Sequence, residues 1–186
     1  MLSVIIITKN EAHNIGECLA SVDWADEIVV VDSGSSDGTQ DICRKIPNCR
    51  LIETDWPGFG PQKNRALQQA TNEWVLSIDA DERVTEELKR EILNVLNSPE
   101  FDGYNLPRRS TYCGQFVNYA GWYPDYVLRL FKRESGVFSD DKVHEKVILS
   151  GALGKLKTPL LHYSFADLEQ VLLKVDSYST FWAQQR

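Results

Sequence analysis

No stretch of this chain reaches the roughly 18 to 20 apolar residues that a membrane helix requires. The start, MLSVIIITKNEAHNIGE, turns polar at Lys9, Asn10 and Glu11. It also lacks the basic opening and small-residue cleavage site of a signal peptide. Together these absences predict a soluble, cytoplasmic protein. Runs of one charge are missing as well. The 20 basic residues are outnumbered by 27 acidic ones, a net charge of −7, which excludes nucleic acid as the expected partner. The four cysteines, Cys18, Cys43, Cys49 and Cys113, form no C-x-x-C pair and no recurring spacing. They read as buried reduced thiols rather than a zinc site or disulfide framework. Internal repeats and low-complexity tracts are absent too.

What is present suits one domain. At 186 residues, the chain is long enough to bury roughly 70% of its unfolded surface without metal or disulfide staples. LSVIIIT (Leu2 to Thr8) and EIVVVDS (Glu27 to Ser33) are continuous β-branched runs, the pattern of strands covered on both faces. CRLIET (Cys49 to Thr54) and EWVLSID (Glu73 to Asp79) add a third and fourth strand. Between the first two, Ile15, Cys18, Leu19 and Val22 recur at helical spacing, with Asn14 as N-cap and Glu17 as its capping-box partner. Further helices are expected over Thr39 to Ile46, Gln62 to Gln69 and Thr85 to Leu96. This alternation predicts α/β architecture with right-handed crossovers and a mostly parallel central sheet flanked by helices.

Beyond NSPEFDG (Asn97 to Gly103) the style changes. GYNLPRRSTYCGQFVNYAGWY (Gly103 to Tyr123) is aromatic and broken by Gly and Pro, which suits short antiparallel strands. The single domain therefore divides into residues 1–97, residues 98–165, and a terminal amphipathic helix over 166–186. On that helix Leu168, Val171, Leu172, Val175, Tyr178 and Trp182 share one face. It reaches the chain end without a C-cap, which reads as a truncated version of a longer chain.

Ligands of open α/β sheets bind beyond the carboxyl ends of the strands, and polar residues gather there. They are Thr8, Asn10 and Glu11 after the first strand, Asp32, Ser33, Gly34, Ser35 and Asp37 after the second, and Asp79 and Asp81 after the fourth. DSGSSDGT (Asp32 to Thr39) can be a nucleotide-facing loop or simply a turn and helix cap. It is neither a P-loop nor a G-x-G-x-x-G fingerprint. In SIDADE, an apolar run ends on Asp79 and Asp81 around small Ala80. Acids are rarely placed at such a strand end without a positive partner. Carboxylate ligands suit Mg or Mn, which keep positions open for phosphates. Asp81 would then hold the ion, and Asp79 the ribose or the ion.

Taken in order, SVIIITKNEAHNIGECLASV, EIVVVDSGSSDGT, GPQKNRAL, WVLSIDADERV, DYVLRLFKR and VHEKV resemble the inverting glycosyltransferases of family 2, with the GT-A fold. Within that family the chain is most similar to the bacterial lipopolysaccharide core glucosyltransferases and related envelope enzymes. The resemblance implies a nucleotide-diphospho-sugar donor, usually a UDP-sugar, a divalent cation and single displacement at the anomeric carbon. It implies that Thr8, Asn10, Glu11 and Asp32 line the nucleoside and that Lys63 and Arg65 lie near base or phosphate. Asp79, Ala80 and Asp81 take the D-x-D place. Residues 1–97 become the donor half and 98–165 the acceptor half. Many members carry two acids where this chain has Asp32 and Ser33, a departure that affects contact with the base.

Inverting transfer also needs a base for the acceptor hydroxyl and positive charge for the leaving diphosphate. Glu145 in VHE is the preferred base and Asp125 the second, with Asp140 and Asp141 further candidates. His144 is placed to complete the metal shell or to orient Glu145. His162 in LLHYSF is another metal candidate, and His13 reads as surface. Arg108, Arg109, Arg129, Lys132 and Arg133 could grip phosphates, and Tyr119, Trp122 and Tyr123 could stack on an acceptor sugar. The terminal helix would pack on the domain or, with its face exposed, meet the inner face of the plasma membrane, as a glycolipid acceptor would suit. A metal-dependent nucleotidyltransferase is disfavoured, because TKNEAHN stands where a glycine-rich basic loop is expected. A catalytically inactive sugar-nucleotide or glycan-binding module would need no base.

Overall fold

The computed structural model describes residues 1–140, 145–164 and 167–169. The first half alternates strand and helix. β1 (Leu2–Thr8) leads to α1 (Ile15–Ser21), β2 (Glu27–Asp32) to α2 (Thr39–Cys43), β3 (Cys49–Glu53) to α3 (Phe59–Gln69), and then β4 (Trp74–Ser77) follows. A short β5 (Glu82–Arg83) precedes α4 (Glu86–Asn97). The remainder is β6 (Gly103–Tyr112), β7 (Gln115–Phe116), β8 (Asp125–Lys132), β9 (Gly136–Phe138), β10 (Val147–Leu149), β11 (Leu153–Lys155) and β12 (Leu160–His162).

The sheet runs β3-β2-β1-β4-β8-β6-β12-β5, with β7 and β11 also paired to β6, while β9 and β10 form a separate hairpin. The first four strands are mutually parallel. β8 adds antiparallel to β4, and β6 antiparallel to β8, so β6 runs in the direction of the first four. The sequence boundary near residue 97 thus marks a change of connection, yet the strands beyond it extend the same sheet.

Period-two alternation along doubly covered strands builds two cores. Val4, Ile6, Ile28, Val30 and Leu76 pack with Ile15 and Leu19 of α1 and Leu88 and Ile92 of α4 on one face. Ile5, Ile7, Val29, Val31 and Val75 pack with Ala66 and Leu67 of α3 on the other. Each such side chain contributes about 1.5–3 kcal/mol on full burial. Thr85, expected as the first residue of a helix, caps α4, its hydroxyl accepting from the Leu88 amide at 3.1 Å. The expected capping box at α1 does not form. Asn14 makes no cap bond, and its amide instead donates to Glu11 Oε2 at 2.9 Å. Among the described residues no helix is long and apolar enough to cross a membrane. Most of the terminal amphipathic stretch lies outside the described residues. The four cysteines are free, but only Cys18 and Cys43 are buried; Cys49 is half-buried and Cys113 exposed.

Candidate active site

The loops after β1 and β2 are tied into one unit. Asn10 adopts a left-handed backbone with φ 57°, a conformation Asn tolerates better than most residues. Its amide donates to Ser35 Oγ at 2.7 Å, and its Oδ1 accepts from the Ser36 amide at 2.9 Å. The Glu11 amide donates to Thr39 Oγ1, and the Ala12 amide to Asp37 Oδ2. Hydrogen bonds from the Thr39 hydroxyl and the Ala12 amide hold the Asp37 carboxyl down at about 2.

Asp32, expected on the nucleoside, is enclosed by its own loop. It is fully buried, and its carboxylate accepts from the Gly34 and Ser35 amides, the Ser35 hydroxyl and Gln40 Nε2. Ser33 Oγ accepts from Gln62 Nε2 at 2.8 Å. Thr8 is also buried, and its hydroxyl oxygen has no hydrogen-bond partner. A buried polar atom without a partner is uncommon in a folded protein.

At the fourth strand end the positive partners of the acids come from the chain itself. β4 stops at Ser77, and Glu82 N donates to Asp79 O at 2.9 Å, so residues 79–82 form a turn. The strand rule that would send both aspartates to one side therefore does not apply, and they serve different partners. Asp79 Oδ1 lies 2.9 Å from Lys63 Nζ, and its Oδ2 2.6 Å from Arg129 Nη2. Burial alone would raise this carboxyl, but the Arg129 and Lys63 charges outweigh it and hold it well below the usual range. Two cations of the chain thus already meet Asp79, which was expected at the ribose or the ion. Arg129 also meets Glu82 at 2.7 Å. Burial opposes its charge, yet Asp79 and Glu82 keep it firmly protonated.

Asp81 takes a different neighbour. β12 pairs antiparallel with β5 and parallel with β6, which sets His162 opposite both Glu82 and Ser110. His162 Nε2 lies 3.3 Å from Asp81 Oδ2, and its Nδ1 lies 2.9 Å from Ser110 Oγ. The carboxylate suits Mg or Mn, and an imidazole nitrogen beside it favours the transition-metal ion Mn over Mg. Among the described residues no group of three or more His, Cys, Asp or Glu gathers as a metal site. His144 and Asp141 lie outside the described residues.

The base candidates sit at opposite ends of one ion chain. Glu145 Oε1 lies 2.7 Å from Lys63 Nζ, and Lys63 reaches Asp79, Arg129 and Glu82 in turn. Arg108 then approaches Glu82 at 3.8 Å and meets Asp125 at 2.7 Å. The Glu145 side chain is 14% exposed and that of Asp125 40%, so Glu145 is the better shielded of the two.

The other basic residues are committed separately. Lys132 pairs with Asp102, Arg133 with Glu134, and Arg109 bonds Asn118 and stacks on Phe116. Arg65, expected at base or phosphate, pairs with Asp55 and is more than one-third exposed. Tyr119 is exposed, and Trp122 packs edge-on against Tyr112. Sequence reasoning ranked His162 behind His144. The pairing of β12 with β5, which brings it to Asp81, leaves no local signal in so short a strand.

Comparison with known proteins agrees with this fold. Residues 3–151 match the family model for glycosyl transferase family 2. The lipopolysaccharide core biosynthesis glycosyltransferase LpsC of Rhizobium meliloti (strain 1021) is 34% identical over 197 residues, covering 100% of this chain and 71% of LpsC. S. aureus TarS 1-349 shares the fold with a TM-score of 0.64 at 20% identity, over 88% of this chain and 60% of that one. The mannosyltransferase PcManGT from Pyrobaculum calidifontis, solved with GDP-Man and Mn2+, gives 0.56 at 27% identity, over 75% of this chain and 48% of its own. The chain therefore spans only part of each relative. By the match over residues 3–151 it belongs to glycosyl transferase family 2.

Proposed function

We propose that this chain forms the donor-binding and reacting part of a metal-dependent inverting glycosyltransferase. Its donor is a nucleotide-diphospho-sugar, UDP-linked in the first instance, and its acceptor an envelope glycan or glycolipid of the lipopolysaccharide core kind. The observation that carries this reading is Lys63, which lies between Asp79 and Glu145 at 2.9 and 2.7 Å. A carboxylate able to take a proton is thereby held one cation away from the acidic turn. LpsC supports the class of acceptor. TarS has been solved with UDP-GlcNAc, and PcManGT with GDP-Man and Mn2+, which supports the donor class and the cation.

In this mechanism the loops after β1 and β2 receive the nucleoside, and the unpartnered Thr8 hydroxyl gains a hydrogen bond from it. Asp81 and His162 would hold a Mg or Mn ion, which supplies Lewis-acid charge to the leaving diphosphate. Asp79, fixed by Lys63 and Arg129 with its side chain 32% exposed, would hold the ribose. Glu145 takes the proton of the acceptor hydroxyl as that oxygen bonds to the anomeric carbon. The bond from that carbon to the diphosphate oxygen breaks, and its electron pair leaves with the diphosphate. Attack from the opposite face inverts the anomeric centre.

The test is thermal stabilisation of the chain by UDP, UDP-sugars and GDP-sugars with Mn or with EDTA, in wild type and Asp81→Ala. A ligand binding only the folded state raises the melting temperature by mass action. A UDP-dependent rise that needs Mn and disappears in Asp81→Ala is expected. Equal rises with and without metal would overturn the metal assignment, and no rise with any nucleotide would overturn the donor reading.

A further inference from the structure

Lys63 is 4% exposed and carried on α3, whereas its two carboxylate partners come from a turn after β4 and from the segment after β9. A buried ammonium between two acids is stable only because both partners are held in place, and α3 supplies the hold. Gly60 lies so close to the chain after β9 that a Cβ added there would meet Ser139 O at 1.8 Å. One turn along, Asn64 clamps the Phe138 backbone from both sides. Its Nδ2 donates to Phe138 O at 2.8 Å, and its Oδ1 accepts from Phe138 N at 2.9 Å. Ser139 in turn accepts from Lys146 N at its Oγ and donates its amide to Lys146 O. Glu145 is thereby anchored beside Lys146, within reach of the Lys63 ammonium.

We infer that Lys63 is a positioning residue for the acceptor-side base, fixing Glu145 relative to Asp79, with Gly60 and Asn64 setting the distance between α3 and the segment that carries Glu145. This rests on Glu145 being the base. In GPQKNRAL the glycine permits the close approach, the asparagine makes the clamp, and the lysine joins donor side to acceptor side. Lys63 is thus assigned to orientation of the base rather than to donor affinity.

The experiment measures UDP release from UDP-glucose with Mn, water standing in for the acceptor hydroxyl, alongside UDP affinity from melting shifts. The proteins are wild type, Lys63→Met, Lys63→Arg, Glu145→Gln and the Lys63→Met/Glu145→Gln double variant. Loss of a positioned base lowers kcat by on the order of 10²-fold. Lys63→Met is expected to approach that loss with UDP affinity within about threefold of wild type, and Lys63→Arg to recover most of the rate. Residues that act as a unit are non-additive, so the double variant should be no slower than Glu145→Gln alone. Additive losses, or a Lys63→Met variant that loses UDP affinity with kcat intact, would overturn the inference. Should Lys63→Met fail to fold, the same comparison is made with Asn64→Ala, where a lowered kcat with UDP affinity kept is expected and an unchanged kcat overturns the inference. A Glu145→Gln variant as fast as wild type, or a wild type that releases no UDP, instead removes the proposed function beneath it.

Discussion

His162 and Asp81 meet across the junction of β12 and the acidic turn, with Nε2 3.3 Å from Oδ2 and the other ring nitrogen held at 2.9 Å by Ser110. The Ser110 contact sets which ring nitrogen faces Asp81, and such outer partners typically contribute about 10- to 100-fold to metal affinity. We expect Ser110→Ala to weaken Mn binding by about tenfold on that basis. His162→Ala should abolish the Mn-dependent part of the UDP melting shift. Titration of the shift with Mn checks both, and unchanged Mn dependence in His162→Ala would remove His162 from the metal site.

Arg129 holds together two acids that share its Nη2, Asp79 at 2.6 Å and the fully buried Glu82 at 2.7 Å. Removing one partner of a buried pair strands the other charge and destabilises by about 3–5 kcal/mol. Arg129→Met should lose stability on that scale in urea unfolding. The Arg129→Met/Glu82→Gln double variant should recover part of it, since one stranded charge is then gone. A loss below about 1 kcal/mol, as for an exposed pair, would contradict the burial argument.

Gly60 tests the close approach of α3 to the segment after β9. A Cβ placed 1.8 Å from Ser139 O requires backbone to move, and overpacking of this kind destabilises by about 1–3 kcal/mol. Gly60→Ala should therefore lower the melting temperature and slow UDP release. Gly16 is the internal control, because the nearest atom to a Cβ there is 3.7 Å away on a side chain, so Gly16→Ala should fold normally.

Glu27, remote from the acidic turn, predicts a pH dependence of stability. Burial would raise its carboxyl, but hydrogen bonds from Ser3, Thr71 and Arg50 lower it below its ordinary value. A carboxyl depressed in the folded state adds stability that is fully present above its unfolded value and lost as pH falls through the folded one. The difference in unfolding free energy between wild type and Glu27→Gln should be constant from pH 7 down to about 5. It should then shrink as the solution is acidified further. A difference that persists unchanged at pH 2 would show that the bonds do not depend on the charge.

The local pattern of the sequence determined the parallel core. Leu2–Thr8 and Glu27–Asp32 are continuous β-branched runs, and only strands covered on both faces bury every residue of such a run. The placing of polar residues at strand ends, and the capping of α4 by Thr85, followed from equally local chemistry. Partners could not be read this way, because an ion pair depends on which distant segments meet. That α3 and β8 deliver Lys63 and Arg129 to Asp79 left no local trace. The reach of Gln40 to the Asp32 carboxylate is likewise a matter of how the loop folds back on it. Short pairings in the second half, β12 with β5 above all, have too few residues for periodicity to register, and they decide that His162 faces Asp81. Sequence determined where acids gather, because burying strands forces polar residues to their ends. Tertiary structure alone decided which cation each acid meets, because long-range packing sets those distances.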